Sequence, residues 1–302
     1  MKKLLTSLLT VLALTATAQE KISILSPYAA SHSGTPAMFK VLEQANSAQN
    51  KYHFILEFKP GGEQLIAVKA IEQDPQRQLA IIAPKFVEHV SSGKLKLNDY
   101  VPVHALGDAC WAVISNINNG RSGIANLQGQ REIFVGGVGI GNAAHLTSLQ
   151  IGERYGFAVK YIPFKSNYDA LVLMASDGSI NFVVDRVAAF QQMHTKNPNI
   201  AMLAISCPER HPQAPNVPTL KEQGILAPYV FNITVAHTDM KADRRQELAQ
   251  ILQDATAKVG AETLQQVSDM RPPAVPVEQY YRDSINFVDR LLKKHKNSID
   301  QK

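Results

Sequence analysis

Glu132-Ile133-Phe134-Val135, then Gly136-Gly137-Val138-Gly139-Ile140-Gly141-Asn142, then Ala143 to Tyr155 is the stretch that decides the fold. A short run of β-branched and aromatic residues meets a glycine-rich loop, and a helical segment follows. Val159 to Ile162 then supplies a second strand. A strand, a crossover helix and another strand make a βαβ unit, whose strands run parallel. Downstream, Phe164-Lys165-Ser166-Asn167 leads into a helix through Leu171 and Met174, and Ile180 to Val184 is a strand ending at Asp185. The same order of elements stands upstream. Ile22 to Leu25 is a strand, and Thr35-Pro36 opens a helix with Thr35 as N-cap and Pro36 at its first position. His53 to Phe58 is the next strand, Pro60-Gly61-Gly62 turns into a helix through Leu65 and Val68, and Leu79 to Ala83 is a third strand. Two similar α/β lobes explain this recurrence better than a solenoid, whose period is shorter.

Two segments read as connections between the lobes. One is Leu97 to Ile114, rich in strand formers; the other runs from Ala204 through the proline-rich Pro208 to Pro228 and on to Val235. The tail is helical over Ala242 to Val259 and Pro276 to Lys294. The chain is therefore expected to divide into residues 19–103 plus 231–302 as the first lobe and 104–230 as the second. Residues 1–18 read as an export signal: Lys2 and Lys3, then an apolar run from Leu4 to Leu14, then Ala16-Thr17-Ala18 as the cleavage site. The run is shorter than the ~20 residues a membrane span needs. These features predict a periplasmic location.

The net charge is +5, of which Lys2 and Lys3 supply two, and the basic residues are scattered. That pattern does not predict a nucleic-acid partner. Cys110 and Cys207 are the chain's two cysteines. An oxidising compartment permits a bond between them, but spacing alone does not bring them together, and two buried thiols are the alternative.

Ligands of open α/β sheets sit at the carboxyl ends of the strands. Four loops qualify: Pro27 to Gly34, Pro60 to Gly62, Gly136 to Asn142, and Pro163 to Asn167. Each precedes a helix N-terminus, where unpaired N–H donors and the helix dipole favour an anion. Turns of this kind need Gly, Ser and Asn in any case; four of them repeated over two lobes point to a binding cleft. Gly139 to Ala144 also fits a dinucleotide turn, G-x-G-x-x-A. That turn requires an acid at the end of the next strand, and Ile162-Pro163 supplies none. Lys165 leaves a 2′-phosphate cofactor open, while export weighs against one. Ser31-His32-Ser33 offers hydroxyls beside an imidazole, without a G-x-S-x-G elbow. The nine His show no paired metal-ligand spacing. No catalytic residue, metal or cofactor is expected. His145 either donates into the cleft or fixes the loop, and Asp185 is either a cleft residue or a turn cap.

At these loops the chain resembles the receptors of tripartite tricarboxylate transporters, the Bug receptors. The resemblance rests on Pro27-Tyr28-Ala29-Ala30-Ser31-His32-Ser33-Gly34, on Pro60-Gly61-Gly62, and on Gly139 to His145-Leu146. It continues through Ile162-Pro163-Phe164-Lys165-Ser166, Val183-Val184-Asp185 and, most specifically, Pro215-Asn216-Val217-Pro218-Thr219-Leu220-Lys221-Glu222-Gln223-Gly224. It implies a type II periplasmic-binding-protein fold: a Venus-flytrap pair of lobes, each a mostly parallel sheet flanked by helices. It also implies a non-enzymatic receptor, a monomer, that takes a small organic acid to a membrane transporter or sensor. The ligand residues it implies are Tyr28, Ala29, Ser31, His32, Ser33, Gly61, Gly62, Gly139, Gly141, Asn142, His145, Phe164, Lys165, Ser166 and Asp185. Three loops depart from the family pattern: Ser31-His32-Ser33 replaces a Gly pair, Val138, Ile140 and Asn142 stand where relatives place Ser or Thr, and Ser166 replaces Gly. A cleft with fewer hydroxyls favours a less polar acid, or has lost tight binding. An exported enzyme using Gly139 to Ala144, and a degenerate receptor acting as an interaction module, are the alternatives.

Overall fold

A computed structural model describes residues 19–32, 34–119, 123–164, 166–176, 178–228 and 230–300. The export signal expected over residues 1–18 lies outside them, as do Ser33 and Lys165. The strands are β1 (Glu20–Ser26), β2 (Tyr52–Phe58), β3 (Gln78–Ile82), β4 (Tyr100–Ala109), β5 (Trp111–Asn116), β6 (Glu132–Gly137), β7 (Ala158–Pro163), β8 (Phe182–Arg186), β9 (Ile200–Ile205) and β10 (Val230–His237). The helices are α1 (Thr35–Ala48), α2 (Leu65–Ala70), α3 (Lys85–Ser91), α4 (Ala143–Tyr155), α5 (Asn167–Ser176), α6 (Val187–His194), α7 (Ala242–Val259), α8 (Ala261–Ser268), α9 (Val277–Lys294) and α10 (Lys296–Asp300). Among the described residues no helix is long and apolar enough to cross a membrane.

The strands form two five-stranded sheets in the orders β2-β1-β3-β10-β4 and β7-β6-β8-β5-β9. In each, three neighbouring strands run parallel, and the fourth strand of the order, β10 or β5, is antiparallel to both its neighbours. The expected recurrence is thus present as topology, with one reversed strand per sheet. That reversal follows from the chain entering each lobe from the other. β1 shows why the central strands read as continuous apolar runs: Ile22 to Ser26 are all buried, because helices cover both faces.

β4 pairs with β10 as far as Ala109, so the first sheet extends past the expected boundary at 103 and the chain crosses at Cys110. It returns at β10 (Val230–His237). Cys110 and Cys207 are joined as a disulfide, with Cα atoms 5.1 Å apart. The bond ties the outgoing crossing to the returning one. Gly107, just before the crossing, has φ 106°, and a Cβ there would lie 1.8 Å from the carbonyl oxygen of Arg271. Only glycine allows that strand to pass the 271–272 segment.

Helix starts differ in one detail from expectation. Gly34 is the N-cap of α1, so Thr35 and Pro36 both lie inside the first turn. α4 begins with a side-chain cap, Asn142 Oδ1 accepting from the His145 amide at 2.9 Å, and ends at Gly156 in the left-handed conformation. Val277, Tyr280, Tyr281, Ile285, Val288, Leu291 and Leu292 form the buried stripe of α9 in the first lobe's core. Leu146 of α4 is buried in that same core, so the second lobe plugs into the first. Lys294 to Glu153 at 2.6 Å and His295 to Gln150 at 2.7 Å join the two lobes along the same side.

Candidate functional site: the interlobe cleft

A cavity of ≈ 410 Å³ lies between the carboxyl ends of the two sheets. The strand-to-helix turns after β1, β2, β3, β6, β7 and β8 all contribute to its wall, and Trp111 at the crossing forms its base. Four of those turns match the loops identified in the sequence. The end of β8 was expected only through Asp185 and the turn after β3 not at all; the two bring Arg186 and Lys85.

The turn after β1 contributes Tyr28 and His32, whose rings stack with centroids 3.8 Å apart and planes 7° off parallel. The Tyr28 hydroxyl accepts from Gln64 Nε2 at 3.2 Å, and burial pushes its pKa up to about 12. His32 Nδ1 accepts from the Gly34 amide at 3.1 Å; burial, reinforced by the charge of Arg186, pulls its pKa down to about 3, so the imidazole is neutral. Ala29 is exposed and its carbonyl accepts from the His32 amide. Ser31 faces a second, broader cavity of ≈ 910 Å³, which shares His32 and Arg186 with the first.

After β2 the backbone runs left-handed through Gly61 (φ 116°), Gly62 (φ 55°), Glu63 (φ 51°) and Gln64 (φ 85°). Two of those residues carry side chains, so the turn holds strain of the kind found at binding sites. Gly61, Glu63 and Gln64 line the cavity; Gly62 does not. Lys85, at the start of α3, is buried and ion-paired with Glu63 at 2.9 Å and with Glu88. Its Nζ also donates to the Ile140 carbonyl at 2.9 Å, which links the first lobe to the glycine-rich loop of the second.

In that loop Val138, Gly139 and Asn142 line the cavity. Gly141 does not, and its amide donates to His145 Nδ1 at 3.0 Å. His145 is buried, packed on the Tyr161 ring at 4.3 Å, and held neutral because burial pulls its pKa down to about 4. Of its two readings, the geometry matches the one that fixes the loop. A Cβ on Gly141 would lie 3.0 Å from Glu88 Oε2.

Phe164 packs with the second lobe's core, and its amide donates to the Gly137 carbonyl at 2.8 Å. Ser166 Oγ accepts from the Asp169 amide, which makes it a helix-start residue. Neither lines the cavity, whereas Asn167 and Asp185 do. Asn167 Nδ2 donates to Asp185 Oδ1 at 3.0 Å, and the Arg186 amide donates to the same oxygen at 2.8 Å. Burial raises the Asp185 pKa above the usual carboxylate range. Of the expected ligand residues, the structure thus gathers Tyr28, His32, Gly61, Gly139, Asn142 and Asp185 around one cavity. It adds Glu63, Gln64, Lys85, Trp111 and Arg186. Among the described residues no group of three or more His, Cys, Asp or Glu is arranged to hold a metal ion.

Two sheets joined by crossings, with a cleft at their strand ends, define a two-lobed α/β fold. Solved structures agree on the fold. A TctC solute-binding protein from Polaromonas superposes with TM-score 0.72 at 19% identity, over 91% of this chain and 98% of that one. MatC from Rhodopseudomonas palustris, with bound malate, gives 0.70 at 14% identity over 90% and 99%. An R. palustris protein with adipate gives 0.72 at 16% identity over 91% and 95%. In sequence, the protein BugT of Bordetella pertussis is 27% identical over 154 residues, 48% of this chain and 47% of that protein. The match thus spans about half the length of that curated relative. No family model matches the chain. The chain is thus similar to TctC and BugD proteins in fold and, over about half its length, to BugT in sequence.

Proposed function

We propose that this protein is an extracytoplasmic receptor that binds a small organic carboxylate between its lobes and presents it to a membrane transporter or sensor. The observation that carries this reading is the convergence of six strand-to-helix turns, three from each lobe, on one cavity. Such turns direct backbone N–H donors and positive dipole ends at an anion without needing a dedicated cation for each oxygen. A volume of ≈ 410 Å³ suits a small acid rather than a nucleotide or an oligomer. One structural neighbour is a TctC solute-binding protein and two others hold malate or adipate, which favours a receptor over an enzyme. Bonds that hold the lobes together at Lys85–Ile140 also suit a clamp whose closure reports occupancy to a partner. Thermal melting of the purified protein against mono-, di- and tricarboxylates tests it. A ligand held at a hundred times its Kd stabilises by about 2.7 kcal/mol, a shift of several degrees. Absence of any shift across the acids at millimolar concentration would sink the proposal.

A further inference from the structure

One charge in the cleft is left without an answer. Arg186 closes β8 at the point where α6 begins, is 6% exposed, and borders both cavities. Among the described residues no carboxylate comes within ion-pair distance of its guanidinium, which makes a single hydrogen-bond contact, Nη1 to Met270 Sδ at 3.8 Å. The hydrogen bonds of the nearby acids go to other groups, and Asp269 Oδ2 has none. Asp185 accepts from Asn167 and from the Arg186 backbone amide, and Asp269 is bonded to His211 at 3.0 Å and lies 3.6 Å from Arg271. The cleft's other buried cation, Lys85, is already met by Glu63, Glu88 and the Ile140 carbonyl. An arginine keeps its charge in a protein, and a buried charge without a partner is costly.

We infer that Arg186 is the anchor for one ligand carboxylate and that the site takes a monocarboxylate with an uncharged body. The inference rests on the carboxylate-receptor reading and narrows it. The guanidinium fork can give two parallel N–H bonds to one carboxylate, the geometry a lone Lys does not supply. Trp111 stands opposite Arg186 in the β5–β8 register, so an apolar wall adjoins the anchor on the same face of the sheet. The remaining charged walls are Glu63 and Asp185, with Lys85 already paired, so a second carboxylate would meet acids rather than a free cation.

Calorimetric titration tests this with the straight-chain monocarboxylates from propanoate to octanoate, the matching dicarboxylates and the matching amides. The unsubstituted protein is expected to bind at least one monocarboxylate more tightly than its dicarboxylate, and no amide. Arg186→Gln is expected to weaken that monocarboxylate at least ~30-fold, with Arg186→Lys in between. The ligand-free melting temperature of Arg186→Gln should hold or rise, because an uncompensated buried charge is removed; a structural arginine would lower it. Binding by Arg186→Gln within about threefold of the unsubstituted protein, a dicarboxylate preference, or a fall in ligand-free melting temperature each overturns the inference while acids still bind. If no acid binds the unsubstituted protein, the receptor reading falls with it.

Discussion

Buried imidazoles give the protein a pH dependence that can be traced to single residues. His104 is 1% exposed, with Nε2 2.6 Å from Thr256 Oγ1, and burial pulls its pKa from 6.5 to about 4. His145 is pulled to about 4 and His32 to about 3, in both cases mainly by burial. Below pH ~6.5 the unfolded chain takes up protons that these folded sites refuse. Their contribution is therefore complete above pH ~6.5 and is lost as the pH falls toward 4, at up to ~1.4 kcal/mol per pH unit for each site. Asp108, hydrogen-bonded by the Tyr280 hydroxyl, acts in the opposite sense. Burial raises its pKa to about 6, so its contribution is present at low pH and fades as the pH rises from about 3.8 to about 6. Asp185 is shifted in the same direction. Three imidazoles outweigh two carboxyls, so the melting temperature should climb between pH 4 and pH 6.5. His104→Gln should make the climb shallower; a melting profile parallel to that of the unsubstituted protein would contradict the assignment.

Long helices were legible in the sequence with their bounds; of the short ones α2 was read from its glycine turn, whereas α3 and α6 were not. The helix Ala143 to Tyr155 was read with its bounds, as was Ala242 to Val259, because each repeats its apolar positions over several turns and has a clear stop. α3 and α6 have 7 and 8 residues, too few turns for a periodicity to emerge. The consequence for the cleft was direct, since Lys85 begins α3 and Arg186 is the N-cap of α6. A signal did exist. If the two lobes repeat, the third strand of each must also end at the cleft, and Ala83-Pro84-Lys85 and Val184-Asp185-Arg186 both end on a base. Proximity of Glu88 to the glycine-rich loop had no such signal, because it depends on how the lobes meet. The cap of α4 gives a prediction at this scale. Asn142→Ala removes the acceptor for the His145 amide and should cost about 1 kcal/mol in denaturant unfolding. It should weaken acid binding as well, since Asn142 lines the cavity; unchanged stability would mean that water replaces the cap.

At the scale of the whole molecule, what matters is how little chain joins the lobes. β4 passes the 271–272 segment at Gly107 with no room for a Cβ, and the obstacle is backbone rather than a movable side chain. Gly107→Ala combines that collision with a φ of 106°, and it should destabilise by about 3 kcal/mol or more, read from the midpoint of denaturant unfolding. A loss below about 1 kcal/mol would show that the crossing is more yielding than its geometry implies. The two sheets share one pattern of strand order, each with one reversed strand.

The Cys110–Cys207 bond spans a sequence separation of 97, and the strands β5 to β9 all lie between its ends. Residues 110–207, which hold all five strands of the second sheet, thus form a covalent ring. A protease that cuts a surface loop inside that ring opens it without releasing a fragment, so a nicked molecule keeps its mass on a non-reducing gel and splits only after reduction. Chain entropy adds to the same protection, since closing a ring of roughly 100 residues limits the unfolded ensemble by an amount on the order of 4–5 kcal/mol. The chain thus carries its tolerance of such damage in its topology.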